Sequence, residues 1–214
     1  MRNALHELAE SGNPMDVLFG YCYLMRDRDV GDKAFEKTGE NHRDSIMITI
    51  LENPAIQPAV EYEVEKSTKG KGFVDLRITT KNCYTLIEFK NIQIPYLELD
   101  GEDNLDKTQR LEAMRLDQIL GLKFKGDKWR TGITIRDWID GKCKAPISGS
   151  VRKQLQSYIA GETVQKEIVG KKSRAFATVI VGSRRILVRE MDRHGKWVGK
   201  FQLTGWKGSP SVIN

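Results

Sequence analysis

The run Cys83-Tyr84-Thr85-Leu86-Ile87-Glu88-Phe89-Lys90 constrains this chain more than any other stretch. It is apolar almost to its last residues, the pattern of a central β-strand covered on both faces. Side chains alternate along a strand, so Glu88 and Lys90 project to one side and Phe89 to the other. Charged groups seldom close such a run without a use, because burying an unpaired charge is costly.

The neighbouring segments supply partners for that strand. Phe73 to Thr80 alternates, with Val74, Leu76 and Ile78 on its core face and Asp75 opposite them beside Phe73 and Arg77. A hairpin through Lys81-Asn82 brings Asp75 beside Glu88 or one pleat away. Val60 to Glu65 alternates strictly and predicts a further strand, joined to the next by a turn over Thr68-Lys69-Gly70-Lys71-Gly72. Residues 1–39 predict a helical extension built on Leu5, Leu8, Val17, Leu18, Tyr21 and Leu24 and interrupted at Ser11-Gly12-Asn13-Pro14; a second helix is expected from Asn41 to Glu52.

Residues 91–150 read as an insertion, with an acidic loop from Glu98 to Asp106 and one helix from Leu105 to about Leu122 carrying Leu111, Met114, Ile119 and Leu122. Val151, Leu155, Tyr158 and Ile159 then have helical spacing up to Gly161. Two strands follow, Ala175 to Val181 and Arg185 to Glu190, and a weaker one over Trp197 to Leu203. The expectation is an α/β domain, a mixed sheet flanked by helices, over residues 40–214.

Composition narrows the chemistry. The three cysteines (Cys22, Cys83, Cys143) and three histidines (His6, His42, His194) are far apart and offer no zinc spacing, so a metal site here is built from oxygen ligands, which suits Mg²⁺ or Mn²⁺. Sparse cysteine fits a reducing compartment, and neither a secretory signal nor a membrane-length apolar run is present, so an intracellular protein without membrane contact is expected. Residues 1–140 carry 20 Lys/Arg against 25 Asp/Glu, whereas residues 141–214 carry 15 against 4. A basic C-terminal third suits a polyphosphate partner, and equally a merely solvated basic surface.

Two converging carboxylates with an adjacent lysine match metal-assisted phosphodiester hydrolysis, with water activated by the ion and Lys90 orienting it or stabilising developing charge. The same three groups would also serve as a charge cluster that neutralises itself at a strand end. Lys69, Lys71, Lys171, Lys172 and Arg174 are candidate phosphate contacts, with the alternative that they are simply solvated.

Gly72-Phe73-Val74-Asp75 and the strand ending in Glu88-Phe89-Lys90 resemble the Gly-x-x-Asp and Glu-x-Lys elements of the PD-(D/E)XK nuclease superfamily. The branch most similar is that of nuclease domains following AAA-ATPase-like modules, with relatives among Crinkler-type effectors. A helix bearing Gln-x3-Tyr supports the site in that branch, and Gln154-Leu155-Gln156-Ser157-Tyr158 is similar to it. The resemblance covers roughly residues 40–92 and 151–190. It implies a restriction-endonuclease-like fold, Asp75 and Glu88 as metal ligands, Lys90 as the water-orienting or charge-stabilising group, Gln154 as an auxiliary residue, and Glu65 or Glu40 as an extra acid. The implied activity is a Mg²⁺- or Mn²⁺-dependent nuclease, with DNA favoured over RNA. The alternatives are a nuclease-like module that binds nucleic acid without cleaving it, and an effector or toxin domain whose residues 91–150 meet a protein partner.

Overall fold

The computed structural model describes residues 2–26, 61–67, 73–126, 128–144, 149–182 and 185–205. Its centre is a six-stranded mixed sheet of β1 (Glu61–Ser67), β2 (Phe73–Thr79), β3 (Cys83–Ile92), β4 (Lys172–Val181), β5 (Arg185–Met191) and β6 (Trp197–Gly205). Spatial order follows chain order, and every pairing is antiparallel except β3 with β4. A parallel step needs a crossover. Residues 93–171 supply it, so the stretch expected as an insertion is part of a connection that the topology requires.

Helices cover both faces of β3, as its apolar run predicts. On one face lie α1 (Arg2–Ser11) and α2 (Met15–Arg26), where Leu8, Val17, Leu18 and Tyr21 pack with Leu76, Ile78, Ile87, Phe89, Phe176 and Val188. The break between them falls at Ser11–Pro14 as expected: Gly12 adopts φ +70°, and Asn13 Oδ1 accepts the Met15 amide at 3.3 Å. A Cβ on Gly12 would stand 2.6 Å from Thr85 Oγ1, so glycine is needed for conformation and for contact with β3 alike.

The crossover helices cover the other face: α3 (Asn104–Ala113), α4 (Leu116–Gly121), α5 (Ile135–Ile139), α6 (Val151–Ile159) and α7 (Glu162–Glu167). Here Leu111, Ile119, Ile135, Trp138, Val151, Leu155 and Ile159 pack with Tyr84, Leu86, Ala175, Ala177 and Val179. The single helix expected from Leu105 to Leu122 is in fact two, α3 and α4, separated by Met114 and Arg115 in extended backbone. The cause lies elsewhere in the chain. Buried Arg185 donates to the carbonyl oxygens of Glu112 (3.0 Å) and Met114 (2.8 Å), holding the end of α3 open, and Gln118 accepts the Arg115 amide (2.8 Å) to start α4.

The other elements follow their periodicity. α6 begins at Val151 on a Ser150 cap whose hydroxyl accepts the Lys153 amide. The weak C-terminal pattern is edge strand β6, extended to Gly205. Val74, expected on the core face of Leu76 and Ile78, packs with the opposite cluster, because the pairing of β2 with β3 stops at Leu76. The helix expected over residues 41–52 and the turn over 68–72 lie outside the described residues. Among the described residues no helix is long and apolar enough to cross a membrane.

Candidate active site at a fork between two strands

The β2–β3 ladder runs from Thr79–Tyr84 to Leu76–Ile87 and ends there, one pair short of Asp75 and Glu88. The β3–β4 ladder continues through Glu88–Ala177 and Lys90–Val179 to Ile92–Val181. The two strands therefore fork at Asp75 and Glu88. In the fork the Phe89 amide donates to Asp75 Oδ2 at 2.7 Å, so a side-chain oxygen stands where a strand carbonyl would.

Glu88 is 1% exposed, and its Oε1 lies 2.6 Å from Lys90 Nζ on the same face. Its Oε2 is buried and makes no hydrogen bond of good geometry, its polar neighbours being the Asp75 carboxyl and the Tyr158 hydroxyl. Burial pushes the Glu88 carboxyl up to about 7; Lys90 opposes this by its charge, and nearby Asp75 reinforces it. Asp75, Glu88 and Lys90 thus form one compact cluster, with Glu88 wholly buried and Lys90 a quarter exposed at its edge.

Helix α6 packs across β2, β3 and β4 and places Tyr158 beside this pair. Burial and the negative charge of Glu88 raise the Tyr158 phenol well above its ordinary range, keeping it a neutral donor. Gln154 Nε2 donates to the Tyr158 hydroxyl at 3.1 Å, so Gln154 joins the site through Tyr158. Tyr158 was expected in the apolar stripe of that helix and in the Gln-x3-Tyr resemblance, but with no role of its own at the site.

The remaining candidates are distributed unevenly. Glu65 lies on β1 between Val64 and Lys66, which pair with Leu76 and Val74, so its backbone runs alongside Asp75; its side chain, Glu40, Lys69 and Lys71 lie outside the described residues. Lys171 and Lys172 sit where β4 begins, with Lys172 opposite Cys83; Lys90 is seven residues further along, about 23 Å at strand rise. Arg174 is opposite Thr85, on the sheet face away from Glu88, and grips Glu190 through Nε and Nη2 at 2.7 Å each while Nη1 donates to Ser11 O. These three residues are thus not brought to the fork.

Two carboxylates suit Mg²⁺ or Mn²⁺, ions that keep several coordination positions for water and phosphate oxygens. The buried, unpartnered Glu88 oxygen beside a second acid is the donor set such an ion fits. Among the described residues no group of three His, Cys, Asp or Glu side chains forms, so the fork contributes Asp75 and Glu88 alone. Comparison with protein-family models, with curated proteins and with solved structures found no match to this chain.

Proposed function

We propose that this chain is a Mg²⁺- or Mn²⁺-dependent nuclease of restriction-endonuclease-like architecture that hydrolyses phosphodiester bonds, with DNA favoured as substrate. The observation that carries this reading is the orphaned Oε2 of Glu88, buried beside Asp75 where a cation would satisfy it. Asp75 and Glu88 would hold the ion, and the Phe89 amide fixes the orientation of Asp75. When bound, the ion supplies Lewis-acid polarisation of a phosphate oxygen and lowers the pKa of water. Lys90, three-quarters buried, holds its Nζ 2.6 Å from Glu88 Oε1, where it can meet a developing oxyanion. Tyr158 and Gln154 wall the site on the helix side and hold a neutral hydroxyl towards the carboxylates.

The test is cleavage of supercoiled DNA, linear DNA and RNA, with and without Mn²⁺, by wild type, Glu88→Gln and Lys90→Met. Wild type should cleave only with the divalent ion, and both variants should be inactive while retaining wild-type circular dichroism. Lys90→Met removes the competing cation, so Mn²⁺ should bind it at least as tightly as wild type. Undiminished cleavage by Glu88→Gln would eliminate the mechanism.

A further inference from the structure

A second polar pocket lies two strands from Glu88 on the same face. Glu88 pairs with Ala177, and Ala177 with Arg189, so the three stand in one row across β3, β4 and β5. Beyond Arg189 the β5–β6 ladder is irregular: Val188 pairs with Gln202 and Glu190 with Val198. One residue of β5 therefore faces three of β6, Gly199, Lys200 and Phe201. Gly199 supplies the left-handed turn of this bulge at φ +63°, and no atom lies within 4 Å of where its Cβ would be. Lys200 and Phe201 of the bulge, Arg189, Leu116 and Leu120 of α4 and Arg136 of α5 line a half-open cavity of about 310 Å³.

The charge in this cavity is not balanced. Arg189 is ion-paired with Asp140 and lies over the rings of Phe201 (4.3 Å) and Trp197 (4.9 Å), yet its Nε is buried without a hydrogen-bond partner. Asp140 is already engaged, its carboxylate by Arg189 and its carbonyl by Arg152. Burial depresses the Arg189 guanidinium, and the neighbouring charges of Arg136 and Arg152 add to the depression. Arg136 and Lys200 are exposed and make no ion pair among the described residues, and Asp117 at the rim offsets only one of them. Cations and the apolar side chains of Leu120 and Phe201 line the same cavity, so it suits a ligand that carries both an anionic group and an apolar body.

We propose that this pocket binds a nucleoside phosphate group, with the phosphate at Arg136 and Lys200 and the ring against Phe201 and Leu120. Guanidinium forks and ammonium groups are suited to phosphate oxygens, and the cavity is at the lower end of small-ligand pocket sizes, as a single nucleotide requires. The pocket stands on different residues from the fork and does not depend on cleavage there.

The test is calorimetric titration in EDTA on the Glu88→Gln protein, so that the fork neither cleaves nor holds metal. The probes are thymidine 5′-monophosphate, thymidine, and the dinucleotide TpT, whose only phosphate is a diester. Thymidine monophosphate should bind at least about tenfold more tightly than thymidine, and the double variant Arg136→Gln/Lys200→Gln should lose that advantage while its melting temperature stays unchanged. TpT binding with the same dependence on Arg136 and Lys200 also supports the pocket and assigns the phosphate to a nucleic-acid chain; binding of the monophosphate alone assigns it to a free nucleotide. Equal affinity for thymidine and its monophosphate, no binding of either phosphate probe at millimolar concentration, or unchanged affinity in the double variant overturns the proposal. A cleaving enzyme with an empty pocket, or a filled pocket on a protein that never cleaves, separates this inference from the nuclease reading.

Discussion

Asp75 holds the Phe89 amide at 2.7 Å and lies beside the Glu88 carboxyl, so one side chain both closes the fork and charges it. The two duties separate by substitution. Asp75→Asn keeps an oxygen for the Phe89 amide and removes the charge; Asp75→Ala removes both. Both variants should lose divalent-dependent cleavage by about 100-fold or more, since groups one step removed from a metal already cost roughly 10–100-fold. Only Asp75→Ala should lose a further ~1–3 kcal/mol of stability, from the abandoned amide. Urea unfolding beside a cleavage assay measures both, and equal stability of the two variants would refute the dual role.

Glu88 makes the stability of the metal-free protein depend on pH in an unusual direction. Its carboxyl is raised from 4.5 to about 7 on folding. Between those values the folded protein holds a proton that the unfolded chain has released, so stability is greatest below 4.5, falls as pH rises towards 7 and levels off above it. The difference amounts to roughly 3 kcal/mol at most. In EDTA, Glu88→Gln should flatten the slope and be the more stable protein at pH 8. Mn²⁺ should stabilise wild type strongly at pH 8 and hardly at pH 5. Denaturant titrations across pH check this, and an unaltered slope in Glu88→Gln would contradict it.

The grouping of Asp75, Glu88 and Lys90 was legible in the sequence because strand alternation is strict: Glu88 and Lys90 had to share a face, and a hairpin through Lys81-Asn82 returns Asp75 beside Glu88 or one pleat away. That the ladder stops at Leu76 was not legible, since no glycine or proline marks the separation. Gln154 lies 64 residues after Lys90, a distance that made its arrival uncertain. The parallel β3–β4 step explains it, for the crossover must return along the sheet before β4, and its helix α6 packs across β2, β3 and β4. Arg174 and Arg185 look alike as surface cations in the chain, and only long-range partners, Glu190 and the carbonyls ending α3, give them their places. The bulge around Arg189 has no periodic signature at all, which is why the second pocket lay hidden within an ordinary strand.

Gln154 acts on the fork through the Tyr158 hydroxyl, which makes it a positioning residue. Gln154→Ala and Tyr158→Phe should each slow cleavage by about tenfold, and the double variant should be no slower than Tyr158→Phe alone, because residues of one hydrogen-bonded network are not additive. The affinity for Mn²⁺ should change little in any of them, since neither side chain is a ligand. Single-turnover rates measured on all four proteins give the coupling directly. Strictly multiplicative losses would show that Gln154 acts independently of Tyr158.

Arg174 belongs to the scaffold. Its guanidinium binds Glu190 through two 2.7 Å contacts, lies 4.9 Å from the Phe176 ring centre and reaches the Ser11 carbonyl, tying the end of α1 to β4 and β5. The pair is largely shielded from water, so it is worth more than an exposed ion pair. Arg174→Gln should therefore cost about 1–3 kcal/mol. Glu190→Gln should cost a similar amount, and the double variant less than the sum of the two. Because Arg174 faces away from Glu88, its loss should leave DNA affinity within about twofold of wild type at fixed salt, whereas a lysine or arginine on the phosphate path would lower both affinity and its salt dependence. Thermal melts and fluorescence anisotropy at two ionic strengths distinguish the cases: a reduced salt slope with unchanged stability would return Arg174 to the nucleic-acid surface.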